Sequence, residues 1–353
     1  MTIAPGSTIG IVGGGQLGRM MAIAAAQLGY RCHIFAPDDA PCASAVAAAH
    51  TRAAYDDGEA LARFAAAVDV VTYEFENLPA AQLAALGPKM RPGTRSLTSA
   101  QDRAIEKQFI ESVGGRVAPW RTVDGPADVE AAIAALGLPI VLKSRQFGYD
   151  GKGQEWVRDP ADAREAWEAI GAPSGIAEAA IDYLAEFSVL IARTEGGDSA
   201  VWDSARNVHV GGILRQSILP AGDLIESQVE QADAIARRIA DALDHIGVLT
   251  VEYFACADGP LVNEIAPRVH NSGHWTIEGA ETSQFQQHIR AVCGLPLGST
   301  RRIARQVTMD NLIGDEVNDW PALVADPGAH VHLYGKGEPR PGRKMGHVTR
   351  LGS

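Results

Sequence analysis

The sequence predicts an α/β and α+β chain, in which an amino-terminal domain built on a parallel sheet is followed by α+β units. Three observations point there. First, a buried-strand run, Thr8-Ile-Gly-Ile-Val12, leads through Gly13-Gly-Gly-Gln16-Leu17-Gly18 into a helical run and then a second strand at Arg31–Phe35, a βαβ unit. Second, a glycine-rich loop at residues 148–154 lies inside a β-hairpin rather than before a helix. Third, two short β-type runs, Leu249–Cys256 and Leu261–Ile265, flank the turn signal Asp258-Gly259. A length of 353 residues allows two or three domains and an ample core.

Composition narrows the function classes. The formal net charge of −12 argues against a general polyanion-binding role, so no nucleic-acid partner is expected and any basic cluster must be local. Cys32, Cys42, Cys256 and Cys293 stand far apart without a Cys-x-x-Cys, which suggests neither a zinc knuckle nor a disulfide framework, and fits a reducing cytoplasm. The amino terminus lacks a basic region followed by an apolar one, and no apolar run approaches the roughly 18 to 20 residues that span a bilayer. A soluble cytoplasmic protein with no membrane partner is expected.

In the first segment, Gly-x-Gly-x-x-Gly sits at the strand-to-helix position where backbone N–H groups meet an anion. A dinucleotide site would need an acidic residue closing the second strand. Phe35-Ala36-Pro37 stands there instead, leaving ligand-free helix packing or contact with another phosphate or substrate as the other readings. The run Val68–Thr72 reads as a further buried strand, and Glu74 and Glu76, just beyond its carboxyl end, are candidate substrate contacts. Asn77 is equally placed to cap the following helix.

From about Ser99 the pattern changes. Residues 99–110 read as one amphipathic helix with a plausible cap. A strand ending in Lys143 precedes Phe147-Gly148-Tyr149-Asp150-Gly151-Lys152-Gly153-Gln154, and a strand at Glu155–Arg158 follows. This is not a Walker A loop, because neither the Ser/Thr nor the helix is present. Its glycines would let a flap fold over a triphosphate whose charge Lys143 offsets; a mobile surface hairpin is the plainer reading. Residues 176–191 run from strand to strand through a short connection that could read an adenine by backbone groups, with Glu186 placed for ribose hydroxyls.

The two late β-runs carry the sharpest signal. A turn centred on Asp258-Gly259 puts Glu252 and Glu264 opposite or nearly opposite, with Cβ atoms about 5 Å apart. Carboxylates that close repel unless one is protonated or a cation lies between them, and Mg²⁺ is typically held by one or two carboxylates plus substrate phosphates. Arg268, His270, Asn271 and His274 follow, a concentration of anion-binding groups; a solvent-facing hairpin is the alternative. Near the carboxyl end, a strand at His330–Tyr334 leads into Lys336, Arg340, Arg343 and Lys344, bracketed by Gly and Pro. Such a loop suits a phosphate monoester, or is a solvated basic turn.

The order Lys143, glycine-rich flap, Glu178–Ile181 connection, Glu186, Glu252 and Asn263-Glu264 resembles the ATP-grasp superfamily. Four stretches resemble, more narrowly, the N5-carboxyaminoimidazole ribonucleotide synthetase family: Gly13–Arg19, Phe147–Gln154, Asn263–His274 and Gly342–His347. The likeness spans nearly the whole chain. It implies an ATP-grasp fold with a Rossmann-like domain at 1–98, a lid subdomain at 99–182 and a carboxyl-terminal α+β domain with the basic hairpin at 183–353. It implies a carbon–nitrogen ligase of purine biosynthesis, which carboxylates 5-aminoimidazole ribonucleotide with ATP and bicarbonate through carboxyphosphate, giving ADP and phosphate. By the same resemblance, Arg103, Lys143, residues 148–154, Glu178, Ile181, Glu186, His209, Asn263 and Glu264 contact ATP, and Glu252 and Glu264 hold Mg²⁺ or Mn²⁺. Gln16, Leu17, Glu74, Glu76, Tyr149, Asp150, Lys152, Asn271, Lys336, Arg343 and Lys344 face the aminoimidazole ribonucleotide, and a homodimer is expected.

The chemistry follows from bicarbonate being a poor electrophile. Its oxygen is expected to attack the γ-phosphate, with Mg²⁺ and Lys143 offsetting the charge. Arg268, His270 and Asn271 are placed to hold the carboxyphosphate, and either Asp150 or phosphate takes the proton lost by the substrate amine. No Ala-Met-Lys-Met biotin-attachment sequence occurs, so direct carboxylation is the simpler expectation. Rival readings are a formate-dependent glycinamide ribonucleotide formyltransferase, a nicotinamide-dependent oxidoreductase resting on Gly13–Gly18, and a non-catalytic nucleotide sensor.

Overall fold

The structure is a computed structural model that describes residues 2–148 and 153–352. Strand β1 (Thr8–Val12) is central in a parallel sheet of order β3-β2-β1-β4, with β2 at Arg31–Ala36, β3 at Ala49–Arg52 and β4 at Val70–Tyr73. Helix α1 (Gln16–Gln27) turns Leu17, Met20, Met21, Ala24 and Ala25 inward, the spacing of one helical face. Helix α2 (Gly58–Ala66) starts where Asp57 accepts from the Ala60 N–H at 2.9 Å.

Helix α3 (Ala80–Ala84) begins after Pro79 with no side-chain cap, so Asn77 does not cap it; proline supplies the start, having no N–H to satisfy. The single helix expected from Ser99 is two, α4 (Thr94–Gln101) and α5 (Arg103–Ser112). Asp102 divides them in an extended conformation, its carboxylate accepting from the N–H groups of Ala104 (3.0 Å) and Ile105 (3.2 Å). A short acceptor side chain there stabilises a cap more than a continuing helix.

A small antiparallel sheet follows, of order β5-β8-β6-β7: β5 (Trp120–Val123), β6 (Ile140–Ser144), β7 (Gln154–Val157) and β8 (Gly175–Ala179). Helices α6 (Pro126–Leu136) and α7 (Ala163–Ile170) pack on it around Val123, Leu142, Val157 and Ala177. Pairing of Lys143 with Gln154 makes β6 and β7 the hairpin stems of the flap, as expected.

The remaining strands form one nine-stranded sheet of order β14-β13-β9-β11-β12-β15-β17-β16, with β10 on β9. They are β9 (Ala185–Arg193), β10 (Ser199–Val201), β11 (Ala205–Val210), β12 (Ile213–Leu219), β13 (Gly247–Cys256), β14 (Gly259–Ala266), β15 (Gln306–Ile313), β16 (Ala329–Leu333) and β17 (Lys344–Gly352). Short α8 (Asp223–Glu226) leads into α9 (Val229–Ala242), whose Ile235, Ala236 and Ile239 pack against Val189, Ile191 and Val251. Short α10 (Thr276–Gly279) precedes α11 (Gln284–Val292), and α12 (Trp320–Ala325) precedes β16. Phe285, Ile289 and Val292 of α11 share a core with Met20, Met21 and Ala24 of α1, which fastens the parallel-sheet domain to the large sheet. A buried histidine pair reinforces the joint. His288 Nε2 lies 2.8 Å from Thr72 Oγ1 while its Nδ1 accepts from Val248 N–H at 3.1 Å. His245 Nδ1 lies 3.0 Å from Ser96 Oγ, and its Nε2 lies 3.0 Å from the Val248 carbonyl. Among the described residues no helix is long and apolar enough to cross a membrane.

Candidate active site

The β13–β14 hairpin sets the geometry. Its turn is Ala257-Asp258, one residue earlier than expected, because Cys256 pairs with Gly259. That register alone would oppose Glu252 to Asn263 and leave Glu264 on the other face. A bulge between Glu252 and Tyr253 absorbs Asn263, so Glu252 pairs directly with Glu264 and both carboxylates share one face. Each already has a partner: His270 Nε2 lies 3.1 Å from Glu252, and Arg103 Nη1 donates to Glu264 at 3.2 Å. Burial pushes the Glu252 carboxyl up, but His270, with His209 and Lys344 beyond, outweighs it and holds it down at about 2. Two directly opposed carboxylates suit Mg²⁺, whose remaining oxygen ligands come from phosphate and water.

Helix α5 delivers three charged side chains to this hairpin and to the lid. Besides Arg103, Glu106 accepts from the Ile265 N–H at 2.7 Å, and burial with the nearby Glu264 charge raises its carboxyl to about 8. Lys107, 1 % exposed, lies 3.1 Å from Glu178 Oε1, while Lys143 Nζ donates to Glu178 Oε2 at 2.9 Å. Burial would raise the Glu178 carboxyl; Lys143 and Lys107 reverse that and hold it well below its usual range. Arg145 binds the lid to the same helix, donating through Nε to both oxygens of Asp102 at 2.8 and 2.7 Å. Neither Glu106 nor Lys107 is a residue that sequence reasoning singled out. Charged side chains recurring with Ala104 and Ile110 on the buried face of α5 were the available signal.

At the parallel-sheet domain the glycine loop departs from expectation. Glu74 is 7 % exposed and its carboxylate accepts from the N–H groups of Gly15 and Gly18, the latter at 2.6 Å. A protein carboxylate therefore occupies the helix tip where a dinucleotide phosphate would bind, which removes the physical basis of the oxidoreductase reading. Burial raises the Glu74 carboxyl, and the Gly18 and Gly15 N–H groups, Lys336 and Arg268 hold part of that back. Leu17 is 8 % exposed and belongs to the core under α1, while Gln16 stays partly accessible. Glu76 forms a two-point pair with Arg268, whose Nη2 donates to Oε1 at 3.0 Å while its Nε donates to Oε2.

The segment after Pro267 splits by role. His270, with Nδ1 2.9 Å from Ser272 Oγ, keeps its other nitrogen on Glu252. Asn271, 7 % exposed, is held in a reciprocal amide pair with Asn311, at 2.9 and 2.7 Å, so its side-chain amide faces β15. His274 is fully buried, takes a hydrogen bond from Gln284 at 3.1 Å, and packs on His347. It is a core residue, which corrects its inclusion among anion-binding groups. His209 and Glu186 lie 2.7 Å apart across β11 and β9. Burial would lower the His209 pKa, yet the hydrogen bond and charge of Glu186, with Glu252 further off, raise it. Ile181 packs with Phe254 near Leu261 and Cys256; Tyr183, stacked on Phe254 at 4.4 Å between centroids, donates to Glu186 at 3.0 Å.

On the flap, Gly148 and Gly153 stand at its two ends, with Ser144 N–H donating to the Gly153 carbonyl at 2.7 Å and Gln154 opening β7. Tyr149, Asp150, Gly151 and Lys152 lie outside the described residues. The carboxyl-terminal loop folds back on itself. Lys336 Nζ donates to the Lys344 carbonyl at 2.8 Å, and Arg343 Nη1 donates to the Lys336 carbonyl at 3.2 Å. Burial lowers the Lys336 pKa to about 8, with Cys42 and Glu74 opposing and Arg343 and Lys344 assisting, which places this loop beside the glycine loop.

A parallel α/β domain, an antiparallel lid and an antiparallel body meeting at one row of carboxylates and cations define an ATP-grasp enzyme. Three family descriptions match in chain order: a ribonucleotide synthetase preATP-grasp domain at 6–101, an ATP-grasp domain at 108–285 and a phosphoribosylaminoimidazole carboxylase C-terminal domain at 308–353. The N5-carboxyaminoimidazole ribonucleotide synthase of Brucella melitensis is 49% identical over 355 residues, covering 99% of this chain and 98% of that protein. A crystal structure of an N5-carboxyaminoimidazole ribonucleotide synthetase in complex with ADP superposes with a TM-score of 0.95 at 43% identity, covering 99% of this chain and 94% of that one. An Aspergillus clavatus synthase in complex with ADP and 5-aminoimidazole ribonucleotide gives 0.91 at 30% identity, covering 98% and 94%. The chain belongs to the N5-carboxyaminoimidazole ribonucleotide synthase family.

Proposed function

We propose that the site carboxylates the amine of 5-aminoimidazole ribonucleotide with bicarbonate, at the expense of ATP cleavage to ADP and phosphate. The observation that carries this is the direct opposition of Glu252 and Glu264, with Arg268 and His270 just beyond them on the same chain segment. Glu252 and Glu264 hold Mg²⁺, or Mn²⁺, which would offset negative charge on the nucleotide phosphates. Lys143 and Arg103 add positive charge from the lid side and from α5. Glu178, Glu186, His209, Ile181 and Asn263 line the nucleotide, and the flap, including Gly148, Gly151, Gly153 and Gln154, covers it.

A bicarbonate oxygen attacks the γ-phosphorus, the bond to ADP breaks, and carboxyphosphate forms. Arg268, aimed by its two-point contact with Glu76, and His270 hold that anion, while Asn271 fixes the loop that presents them. The substrate amine then attacks the carboxyl carbon, phosphate leaves, and the amine proton passes to Asp150 or to the departing phosphate. Lys336, Arg343 and Lys344 grip the substrate's phosphate, with Gln16 and the Leu17 backbone bordering it and Tyr149 and Lys152 facing it from the flap. Glu74 acts from beneath, shaping the glycine loop. The three-part division at residues 1–98, 99–182 and 183–353, a homodimer and a cytoplasmic location complete the proposal; four free thiols fit a reducing compartment.

The test is ADP release with ATP and Mg²⁺, adding 5-aminoimidazole ribonucleotide and bicarbonate separately and together, against formate plus glycinamide ribonucleotide. Turnover requiring the first pair and lost in Glu264→Gln is expected. Turnover with the formate pair alone would overturn the substrate assignment.

A further inference from the structure

Glu178 gives one oxygen to each of two ammonium groups, and these differ in kind. Lys143 stands at the end of β6 beside the flap, its side chain 13% exposed, whereas Lys107 is on α5 with its side chain only 2% exposed. Arg103 adds a third cation near the same carboxylate. Arg103 is itself paired with Glu264, so the two lysines are the cations that Glu178 holds directly, and burial together with Arg103 and Lys107 lowers the Lys143 pKa while Glu178 opposes. We propose that Lys107 is a positioning residue for the nucleotide: it keeps one Glu178 oxygen in every state, so that Lys143 can leave the other for the phosphates of ATP. This rests on the nucleotide-binding role proposed for Lys143 and Glu178.

The physical case is a comparison of what Lys143 leaves behind. With Lys107 in place, its departure leaves a complete Lys107–Glu178 ion pair. Without Lys107, Lys143 and Glu178 form an exclusive buried pair, and separating them strands a buried carboxylate with its strongest counter-ion gone. Lys143 is then held away from the phosphates. The lid would also lose the ion pair that joins β8 to α5, leaving Arg145–Asp102 as its charged anchor.

The test is steady-state ADP release with ATP varied at saturating 5-aminoimidazole ribonucleotide and bicarbonate, and with the ribonucleotide varied at saturating ATP, for Lys107→Gln, Lys107→Arg, Glu178→Gln and the Lys107→Gln/Glu178→Gln double variant. Lys107→Gln should raise KM for ATP about 10-fold or more, equivalent to about 1.4 kcal/mol. KM for the ribonucleotide should move by less than about twofold. Lys107→Arg should restore most of the loss. In the Glu178→Gln background, adding Lys107→Gln should change KM for ATP by less than about twofold, since Lys107 acts through Glu178. An equal rise in both KM values, or an undiminished effect in that background, would overturn the proposal. If Lys107→Gln alone fails to fold, the double variant, which removes cation and anion together, still decides it against Glu178→Gln. Lys143→Met separates the underlying reading: unchanged KM for ATP there refutes the nucleotide role of Lys143 itself.

Discussion

The joint between the parallel-sheet domain and the body rests on a histidine that must stay neutral. Burial, with His245 beside it, lowers the His288 pKa from 6.5 to about 3, and both ring nitrogens are committed, to Thr72 and to the Val248 N–H. In the unfolded chain the group titrates normally, so below pH 6.5 the unfolded state binds a proton that the folded state refuses. Its contribution is therefore complete above pH 6.5 and is lost progressively as pH falls towards 3. At about 1.4 kcal/mol per pH unit, going from pH 7 to pH 5 removes about 2 kcal/mol through this residue alone. The assay is urea unfolding at both pH values for the wild type and for His288→Gln, whose amide does not titrate. The variant loses hydrogen-bond geometry at both pH values, so that baseline cost cancels in the difference. Wild type should lose about 2 kcal/mol more than the variant between the two conditions. Equal losses would refute the claim that His288 is held neutral in the folded state.

Three further outcomes are expected. Glu264→Gln should lower kcat for ADP formation by about 10²-fold or more, the scale of losing a metal's charge stabilisation, and excess Mg²⁺ should recover part of it. Lys336 titrates near 8, so KM for 5-aminoimidazole ribonucleotide should rise as pH climbs through that value, and the dependence should flatten in Lys336→Met; a pH-independent KM in the wild type would remove Lys336 from the phosphate site. Gly13→Ala should destabilise by about 1 to 3 kcal/mol in thermal or urea unfolding, because φ is +114° there and the added Cβ would meet the Glu74 side chain; a neutral result would mean that Glu74 is not fixed on the glycine loop.

How far the sequence reached depended on what each residue's role is written in. Glu252 and Glu264 were legible as neighbours because a turn signal stands midway between two short β-type runs, although strict alternation through a two-residue turn puts them on opposite faces. What brings them to one face was not legible: the turn comes one residue early and the bulge at Asn263 shifts the register by one, and bulges leave no reliable compositional mark. The glycine loop was legible as an anion cradle, but not that its anion is Glu74, more than fifty residues away in sequence. Asp102, read as interior to a helix, is its break and cap, a choice settled by the Arg145 contact as much as by local propensity. Lys107 and Asn311 act only through partners brought near by folding, Glu178 and Asn271. Their side chains look ordinary until the chain is closed.

Strand order has a consequence for how the molecule can be assembled. In the chain β17 comes after β16, yet in the sheet it lies between β15 and β16, pairing with both along their lengths. A polypeptide leaving the ribosome as far as β16 thus has a gap in its sheet, with the β15 edge unpaired and open to pairing with other chains. Residues 344–352 then act as the keystone, entering between strands already made, and they bring Lys344 and His347 with them. Losing that stretch would not trim a margin: it would split the sheet and part β16 from β15 in the same stroke.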